Sequence, residues 1–236
     1  MTLALPRRAA RGLRAAVWLL LCLPALLPVT ADAALFGDNP VDLPIKEFVA
    51  SPNYNSRPTS VDVDSVVVHT TEGSLAGTLS WLQNPASGVS AHFVIAPNGD
   101  LYQMVNSRNR AWHATYYNSR SIGIEMVGYA NAASTWNDEN LATLAQVLAW
   151  SAVQFDIPVQ RPAGNAYDYP NDTFNAAGIV GHSQIQPWNK SDPGPYFPWQ
   201  SVLADTNAVI AAAVPEPGSL ALLLSITAVT LPRRRR

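Results

Sequence analysis

Cysteine is nearly absent from this chain of 236 residues. The one cysteine, Cys22, lies in an apolar stretch near the amino terminus. The rest of the chain therefore offers no disulfide, no thiolate ligand for a metal and no thiol nucleophile. Any metal site or catalytic group in it must be built from histidine, carboxylate, amine or hydroxyl side chains.

Basic residues are also scarce in the central part of the chain. Residues 34–214 hold seven lysines and arginines against fifteen aspartates and glutamates, a net charge near −8. An acidic chain with no basic run is a poor candidate for nucleic-acid binding. No internal repeat or low-complexity segment is present, which argues against a structural matrix protein. The length fits one domain with a substantial core.

The amino-terminal 33 residues have the pattern of an export signal. Four arginines between Arg7 and Arg14 precede the apolar run Ala15–Leu27, and Ala31-Asp32-Ala33 follows as a small-residue cleavage pattern. This order predicts a secretory signal peptide over residues 1–33, whose removal would take Cys22 with it. A retained membrane anchor is the alternative, although the run is short for a full span.

The carboxyl terminus, residues 214–236, carries a second sorting pattern. Pro215-Glu216-Pro217 is followed by an apolar stretch over residues 219–231 and by four terminal arginines. This end resembles the bacterial PEP-CTERM sorting signal. The resemblance implies that the apolar stretch halts in the inner membrane and that an exosortase-like enzyme processes it. An ordinary tail anchor is the alternative. In either case we expect an exported protein, in the periplasm or at the cell surface.

The central residues predict one α/β domain. Residues 34–60 are expected to be an extended lead-in with little regular structure, and the domain is expected to span 61–213. Strands and helices alternate, but an Asn-Gly turn places a hairpin among them, so a mixed sheet covered by helices is favoured over a parallel one. The predicted strands are 61–69, 92–96, 101–105, 121–127 and 178–181, and the predicted helices start at Leu75, Asp138 and Trp199.

Residues 181–195 bring together groups that suit a metal site. His182 and Asp192 lie ten residues apart, with Lys190 between them, in a segment whose prolines and glycine exclude a regular helix. His69, at the end of a predicted strand, is the best candidate for a third ligand. Two histidines and a carboxylate leave one position open for water and favour zinc, although other divalent ions remain open. Spacing alone also leaves open that the three are not ligands.

Glu125 is unusual because it lies inside an apolar strand. Ile122, Ile124 and Met126 alternate with it and point to the opposite face. Burying an unpaired carboxylate costs several kcal/mol. We therefore expect Glu125 to face a cavity.

Five motifs occur in the order found in a known family. The chain resembles the zinc-dependent N-acetylmuramoyl-L-alanine amidases of type 2, which include T7-type lysozymes and peptidoglycan recognition proteins. The similarity covers roughly residues 60–205. The motifs are Val66–Gly73, Ser90–Ile95, Ala111–Ala114, Asn118–Glu125 and His182–Pro195.

The resemblance implies a reaction and a role for each site residue. The family hydrolyses the amide between the lactyl group of N-acetylmuramic acid and L-alanine of the peptidoglycan stem peptide. His69, His182 and Asp192 match the zinc ligands. Glu125 matches the carboxylate that orients and deprotonates the attacking water, and Lys190 matches the cation that stabilises the tetrahedral oxyanion.

One position departs from part of the family. Some members carry a catalytic tyrosine where this chain has Ala91. Those members lack the glutamate, so Glu125 with Lys190 is interpreted as the alternative arrangement.

Four further residues are candidates for substrate binding. His113 and Trp112 are expected to contact the peptide or the sugar, with a supporting or packing histidine as the alternative for His113. Arg110 and Asn118 are expected to hold stem-peptide carboxylates, since arginine pairs with carboxylates through two hydrogen bonds; a solvated loop arginine is the alternative.

Two functional hypotheses follow for what we expect to be a monomer. The first is a secreted zinc amidase acting on peptidoglycan or muropeptides. The second is a non-catalytic peptidoglycan-binding module. The complete set of two histidines, an aspartate and a lysine favours the enzyme, because binding-only members of the family typically lack the third ligand.

Overall fold

The structure is a computed structural model that describes residues 39–213. Cys22, the predicted signal peptide and the predicted carboxyl-terminal sorting signal lie outside the described residues. Within residues 39–213, no helix is long and apolar enough to cross a membrane.

A six-stranded mixed sheet forms the centre of the domain, in the order β1-β5-β4-β7-β3-β8. The strands β4, β7, β3 and β8 run parallel to one another, whereas β5 is antiparallel to β4 and β1 pairs in parallel with β5. The fold class predicted from the sequence is therefore confirmed. The strands are Ile45–Phe48 (β1), Tyr54–Ser56 (β2), Ser65–Thr70 (β3), Phe93–Ile95 (β4), Leu101–Gln103 (β5), Asn109–Ala111 (β6), Ser121–Met126 (β7) and Gly178–Gly181 (β8).

Four α-helices accompany the sheet within the described residues: Leu75–Gln83 (α1), Asp138–Phe155 (α2), His182–Ile185 (α3) and Trp199–Ala213 (α4). The longest, α2, is preceded by Asn137, whose side chain caps the first turn, and is followed by Asp156 in a left-handed conformation. α2 packs against α4, and both cover one side of the sheet. The sequence predicted α1, α2 and α4 close to these bounds.

The two faces of β3 and β7 differ in character, because successive side chains of a strand point to opposite sides. What we call the apolar face packs against α2 and α4 and consists of Val66, Val68, Ile122, Ile124 and Met126. What we call the site face lies on the other side and consists of Val67, His69, Ser121, Gly123 and Glu125. Every residue of β3 is buried, as expected for a strand covered on both faces.

Four of the strands and helices described above differ from the sequence expectations. The lead-in before residue 61 contains β1, which forms an edge of the main sheet, and β2, which pairs with β6 in a separate antiparallel ribbon. The segment 181–195 was expected to hold no regular helix, but His182–Ile185 forms one helical turn. This turn is accommodated because Pro187 lies beyond its end, where it removes no hydrogen bond of the turn.

Candidate metal and catalytic site

Parallel pairing brings the site residues to one edge of the sheet. His69 on β3 lies directly opposite Glu125 on β7. On the other side of β3, Val68 pairs with Gly181, so His182 begins α3 next to His69. Because parallel strands have their carboxyl ends on the same side of the sheet, His69, Glu125 and His182 lie close together there although they are far apart in the sequence.

The three predicted ligands form a small triangle of ligand atoms. His69 Nδ1 lies 2.9 Å from His182 Nδ1 and 3.1 Å from Asp192 Oδ2, and the third side, His182 Nδ1 to Asp192 Oδ2, measures 3.2 Å. All three residues are buried. A tetrahedral zinc ion with bonds of about 2.0–2.1 Å needs ligand atoms about 3.3 Å apart, so the triangle is close to the size that zinc requires.

In both histidines the Nε2 atom points away from the triangle and contacts a neighbouring side chain, so Nδ1 is the ring nitrogen that faces the triangle. His182 Nε2 lies 2.8 Å from Gln186 Oε1, an oxygen that can only accept, so Nε2 carries the proton and Nδ1 keeps its lone pair. His69 Nε2 lies 3.0 Å from His113 Nδ1. Metal-binding histidines are commonly oriented in this way by a hydrogen bond at the distal nitrogen.

Burial keeps His69 neutral. Desolvation, followed by the charge of His182, lowers the pKa of His69 to about 4. Burial would raise the pKa of Asp192, but the adjoining rings of His182 and His69 outweigh it and hold that pKa well below its usual range. Neutral imidazole and ionised carboxylate are the forms that bind a metal at neutral pH.

The loop after α3 is held against a neighbouring loop so that Asp192 points at the histidines. Ser183 N–H donates to Asp192 O (3.0 Å). Gly194 has φ +92°, and a Cβ at this position would lie 2.0 Å from Ala130 O. Glycine is therefore required where the two loops cross. Glu72 Oε1 accepts from Ala130 N–H (2.8 Å), which ties the loop after β3 to the same crossing.

Glu125 faces the cavity, as expected from its position in an apolar strand. Its Oε2 atom is buried and has no hydrogen-bond partner among residues 39–213. Desolvation, and then the charge of Asp192, raise the pKa of Glu125 to about 8, against the opposing effect of Lys190. A buried acid with a raised pKa beside a cluster of metal-ligating groups has the properties of a general base or acid.

The site opens into a cavity of about 570 Å³. The three predicted ligands, Glu125 and Lys190 all line it. Lys190 is the one lysine or arginine among the described residues that lines this cavity, and its charge acts on both Glu125 and His69. The cavity therefore places an ammonium group, a carboxylate and the ligand triangle around one space.

His113 lies between the ligand triangle and β7. Its Nε2 is 3.3 Å from Ser121 Oγ, and Ser121 Oγ in turn donates to Tyr117 O (2.8 Å). Gly123 makes room for this ring, since a Cβ there would lie 2.5 Å from the His113 ring. His113 also lines the cavity, so the geometry allows both substrate contact and support of His69.

The other predicted substrate contacts separate into two groups. Trp112 lines the cavity, and its indole N–H donates to Asn55 Oδ1 (2.6 Å). Arg110 and Asn118 are not among the residues that line it. Arg110 donates to the same Asn55 oxygen (2.8 Å), and Asn118 Oδ1 accepts from the backbone of His113 and Ala114. Their roles in binding carboxylates stay predictions.

Two neighbouring residues lie in the packing around the site. Ala91 is fully buried in a cluster with Val94 and Met104, and it does not line the cavity. His92 is also buried, and its Nδ1 accepts from Gly123 N–H (2.9 Å).

Gln186 contacts His182 and Ser121 contacts His113, and neither contact was predicted from the sequence. The spacing of four between His182 and Gln186 is the signal of a helical side-chain pair. The prolines that follow Gln186 argued against a helix in this segment, so the pair was not predicted. The contact of Ser121 with His113 depends on the pairing of β7 and on Gly123, so no local pattern indicates it.

Comparison with known proteins identifies the family. A family model for N-acetylmuramoyl-L-alanine amidase matches residues 59–195, which is more than half of the chain. The chain belongs to this family. The enzyme class predicted from the sequence is therefore confirmed at the level of the family.

Individual relatives agree with this assignment. N-acetylmuramoyl-L-alanine amidase A of Achromobacter lyticus is 37% identical over 161 residues, covering 64% of this chain and 86% of that protein. The 1,6-anhydro-N-acetylmuramyl-L-alanine amidase AmpD of Haemophilus influenzae is 29% identical over 182 residues, covering 66% and 89%. A crystal structure of a selenomethionine AmpD derivative superposes with a TM-score of 0.51 at 26% identity, covering 73% of this chain and 98% of that one.

Proposed function

We propose that this protein is a zinc hydrolase that cleaves the amide between the lactyl group of N-acetylmuramic acid and L-alanine of the stem peptide. The observation that carries the proposal is the arrangement around the cavity. Three potential ligand atoms lie about 3 Å apart, and Glu125, whose Oε2 atom is buried without a hydrogen-bond partner among the described residues, lines the same space as Lys190. Family membership supports the same reaction.

The residues fit a zinc ion. His69 and His182 would hold it through Nδ1 and Asp192 through Oδ2, because these atoms face one another while the distal nitrogens are already hydrogen-bonded. When bound, zinc lowers the pKa of a water molecule toward neutrality and polarises the carbonyl of the scissile amide. The positive charge would also lower the pKa of Glu125 and favour its ionised form.

Glu125 acts as the proton carrier. A carboxylate oxygen accepts a proton from the attacking water as the new C–O bond forms, and returns it to the amide nitrogen as the C–N bond breaks. The products are the lactyl carboxylate and the free amino group of L-alanine. The position of Glu125 suits this role, since its Oε2 atom is buried and has little contact with solvent that could take the proton in its place.

Lys190 stabilises the charge that develops during the reaction. When water adds to the amide carbonyl, its oxygen becomes an oxyanion, and the Lys190 ammonium donates a hydrogen bond to it. A fixed donor of this kind lowers the barrier by about 3–4 kcal/mol in comparable sites.

His113 serves chiefly to orient His69. The hydrogen bond at His69 Nε2 directs Nδ1 into the triangle, and Ser121 holds the other ring nitrogen of His113. Trp112 and His113 also line the cavity where substrate would lie.

The test is hydrolysis of a defined muropeptide by the purified protein, followed by mass spectrometry and metal analysis. We expect release of the intact stem peptide, loss of release on chelation, and recovery on addition of zinc. Recovery with another divalent ion but not with zinc would contradict the choice of metal. A zinc-loaded protein that binds muropeptide without cleaving it would instead favour a recognition module.

We also propose that the protein is exported and processed at both ends, acting in the periplasm or at the cell surface. The support is the sequence pattern of residues 1–33 and 214–236. Expression of the full chain in a bacterium that has an exosortase-like enzyme, followed by mass spectrometry of both termini, tests it. Retention of both intact termini in the cytoplasm would contradict the proposal.

A further inference from the structure

One wall of the cavity, formed by α1 and the segments facing it, is not used by the catalytic groups. Four residues of this wall lie at a helical spacing that places them on one side of α1 and its cap: Ser74, Gly77, Thr78 and Trp81. Val89 and Trp112 line the cavity with them. We call these six residues the uncharged wall, because none carries an ionisable group, whereas Glu72, Glu125, Lys190 and Asp192 line the rest of the cavity.

Trp81 is not needed for the packing of α1. The helix already directs Leu75, Leu79 and Leu82 into an apolar cluster on an adjacent side, where Leu82 is buried and also borders the cavity. The Trp81 side chain is left 56% exposed and lines the cavity. A large aromatic surface left open at the mouth of a binding cavity is typical of a ligand contact.

Gly77 is a second independent sign of close approach by a ligand. Glycine inside a helix costs about 1 kcal/mol relative to alanine. Packing does not demand it here, since a Cβ at Gly77 would meet only Ser74 Oγ, at 3.3 Å. The absence of a side chain at Gly77 instead leaves space in the cavity next to Trp81.

The wall is rigidly supported. The Trp112 indole is fixed by Asn55, and its backbone N–H donates to Ser90 Oγ (2.8 Å). Asn53 Nδ2 donates to Asn84 O and to Val89 O, which secures the segment after α1. A preorganised site of this kind loses little entropy when a ligand binds.

We propose that the uncharged wall binds the glycan side of the substrate, with Trp81 stacking on the sugar that precedes N-acetylmuramic acid. This inference rests on the proposed amidase function. A stem peptide carries several carboxylates, for which the wall offers no cation, whereas the glycan of the substrate is uncharged, because its lactyl carboxyl group forms the scissile amide. From Ser74 to Trp81 the helix rises about 10 Å, close to the length of a disaccharide. The enzyme therefore prefers a disaccharide-peptide to a monosaccharide-peptide.

The test compares two substrates with the same stem peptide, one on N-acetylmuramic acid and one on the N-acetylglucosaminyl-N-acetylmuramic acid disaccharide. We expect the wild type to have a lower KM for the disaccharide. Trp81→Ala should shrink that preference about tenfold, the effect of losing roughly 60 Å² of apolar contact. Trp188→Ala, which removes a similarly exposed indole outside the cavity lining, should leave it unchanged.

Gly77→Gln distinguishes an effect on substrate binding from an effect on the stability of the fold. A side chain at this position should raise the thermal stability of the helix and yet weaken the preference for the disaccharide. Equal losses with both substrates in Trp81→Ala, or no preference in the wild type, would overturn the proposal.

Calorimetric measurement of binding tests the glycan subsite independently of the proposed hydrolysis. The zinc-loaded Glu125→Gln protein should bind the disaccharide-peptide more tightly than the monosaccharide-peptide, and adding Trp81→Ala should remove the difference. If the wild type cleaves neither substrate but this difference in binding persists, the proposed hydrolysis fails and the glycan subsite stands. If no difference in binding exists, the subsite fails whatever the hydrolysis result.

Discussion

The apolar face and the site face belong to the same two strands, and yet they have opposite chemical character. On the apolar face, fully buried aliphatic side chains and Met126 pack against α2 and α4. On the site face, a histidine, a serine, a glycine and a glutamate lie under the cavity. Since the side chains alternate at every residue, one strand both anchors the fold and presents the chemistry. The packing of one face fixes the positions of groups on the other.

The largest expected effect is on the site side, at the ligand triangle. Asp192→Ala removes one of the three proposed ligands, so we expect loss of bound zinc and essentially all turnover. Metal analysis and muropeptide hydrolysis measure both. Asp205→Ala, at an exposed position on α4, is the matched control and should change neither. Zinc bound as tightly as in the wild type would show that Asp192 is not a ligand.

Glu125→Gln should separate catalysis from metal binding. The amide keeps the size of the side chain but cannot accept the proton, so we expect kcat to fall by about 10²–10⁴-fold. Zinc content and thermal stability should persist at pH 7. Wild-type turnover in this variant would contradict the role proposed for Glu125.

Ile124→Ala tests the apolar face one residue away. Ile124 is fully buried, so its truncation should lower the free energy of unfolding by about 2–5 kcal/mol. Urea denaturation measures this loss. We expect kcat per folded molecule to remain near the wild-type value, since the side chain points away from the cavity. A large loss of kcat without loss of stability would break the distinction between the faces.

The histidines of the cluster and most of the sheet were predictable from the sequence, because their signals are local. The run Val66–Val68 marks a strand covered on both sides, and the Asn98-Gly99 turn marks the hairpin. His69 and His182 each stand at a strand end. Once the strands are taken as parallel neighbours, the two histidines must lie at one edge.

The elements that were missed depend on pairing rather than on local pattern. β1 is a mostly exposed edge strand with no alternation between buried and exposed residues, and its partner β5 lies far along the chain. β2 and β6 have three residues each, mostly polar, too few to show a period. The contact of His113 with His69 joins two segments that only the sheet brings together.

His113→Ala should have a smaller effect than loss of a ligand. Without the hydrogen bond at Nε2, the His69 ring is less well oriented, and we expect zinc affinity to fall about 10–100-fold. Competition with a chelator of known affinity measures this. His113→Asn retains an acceptor near the position of Nδ1 and should restore part of the affinity. A rise in KM alone, with zinc affinity unchanged, would assign His113 to substrate contact instead.

The last expected effect is the pH dependence of stability in the metal-free protein. The pKa of Glu125 is raised in the folded state to about 8, so between pH 4.5 and 8 the folded state binds more protons than the unfolded state. Its contribution to stability therefore falls as pH rises, by at most about 1.4 kcal/mol per pH unit. The lowered pKa of His69 acts in the opposite direction, but only below about pH 6.5.

The window from pH 6.5 to 8 thus isolates Glu125 from His69. In the presence of chelator, the wild type should lose stability relative to Glu125→Gln across this window in urea denaturation. Saturating zinc should reduce the difference, because a nearby divalent cation lowers the pKa of the carboxyl group and removes the proton excess of the folded state. Parallel stability curves without zinc would mean that Glu125 is already ionised in the folded metal-free protein. The site face would then be better solvated than its buried carboxylate oxygen indicates.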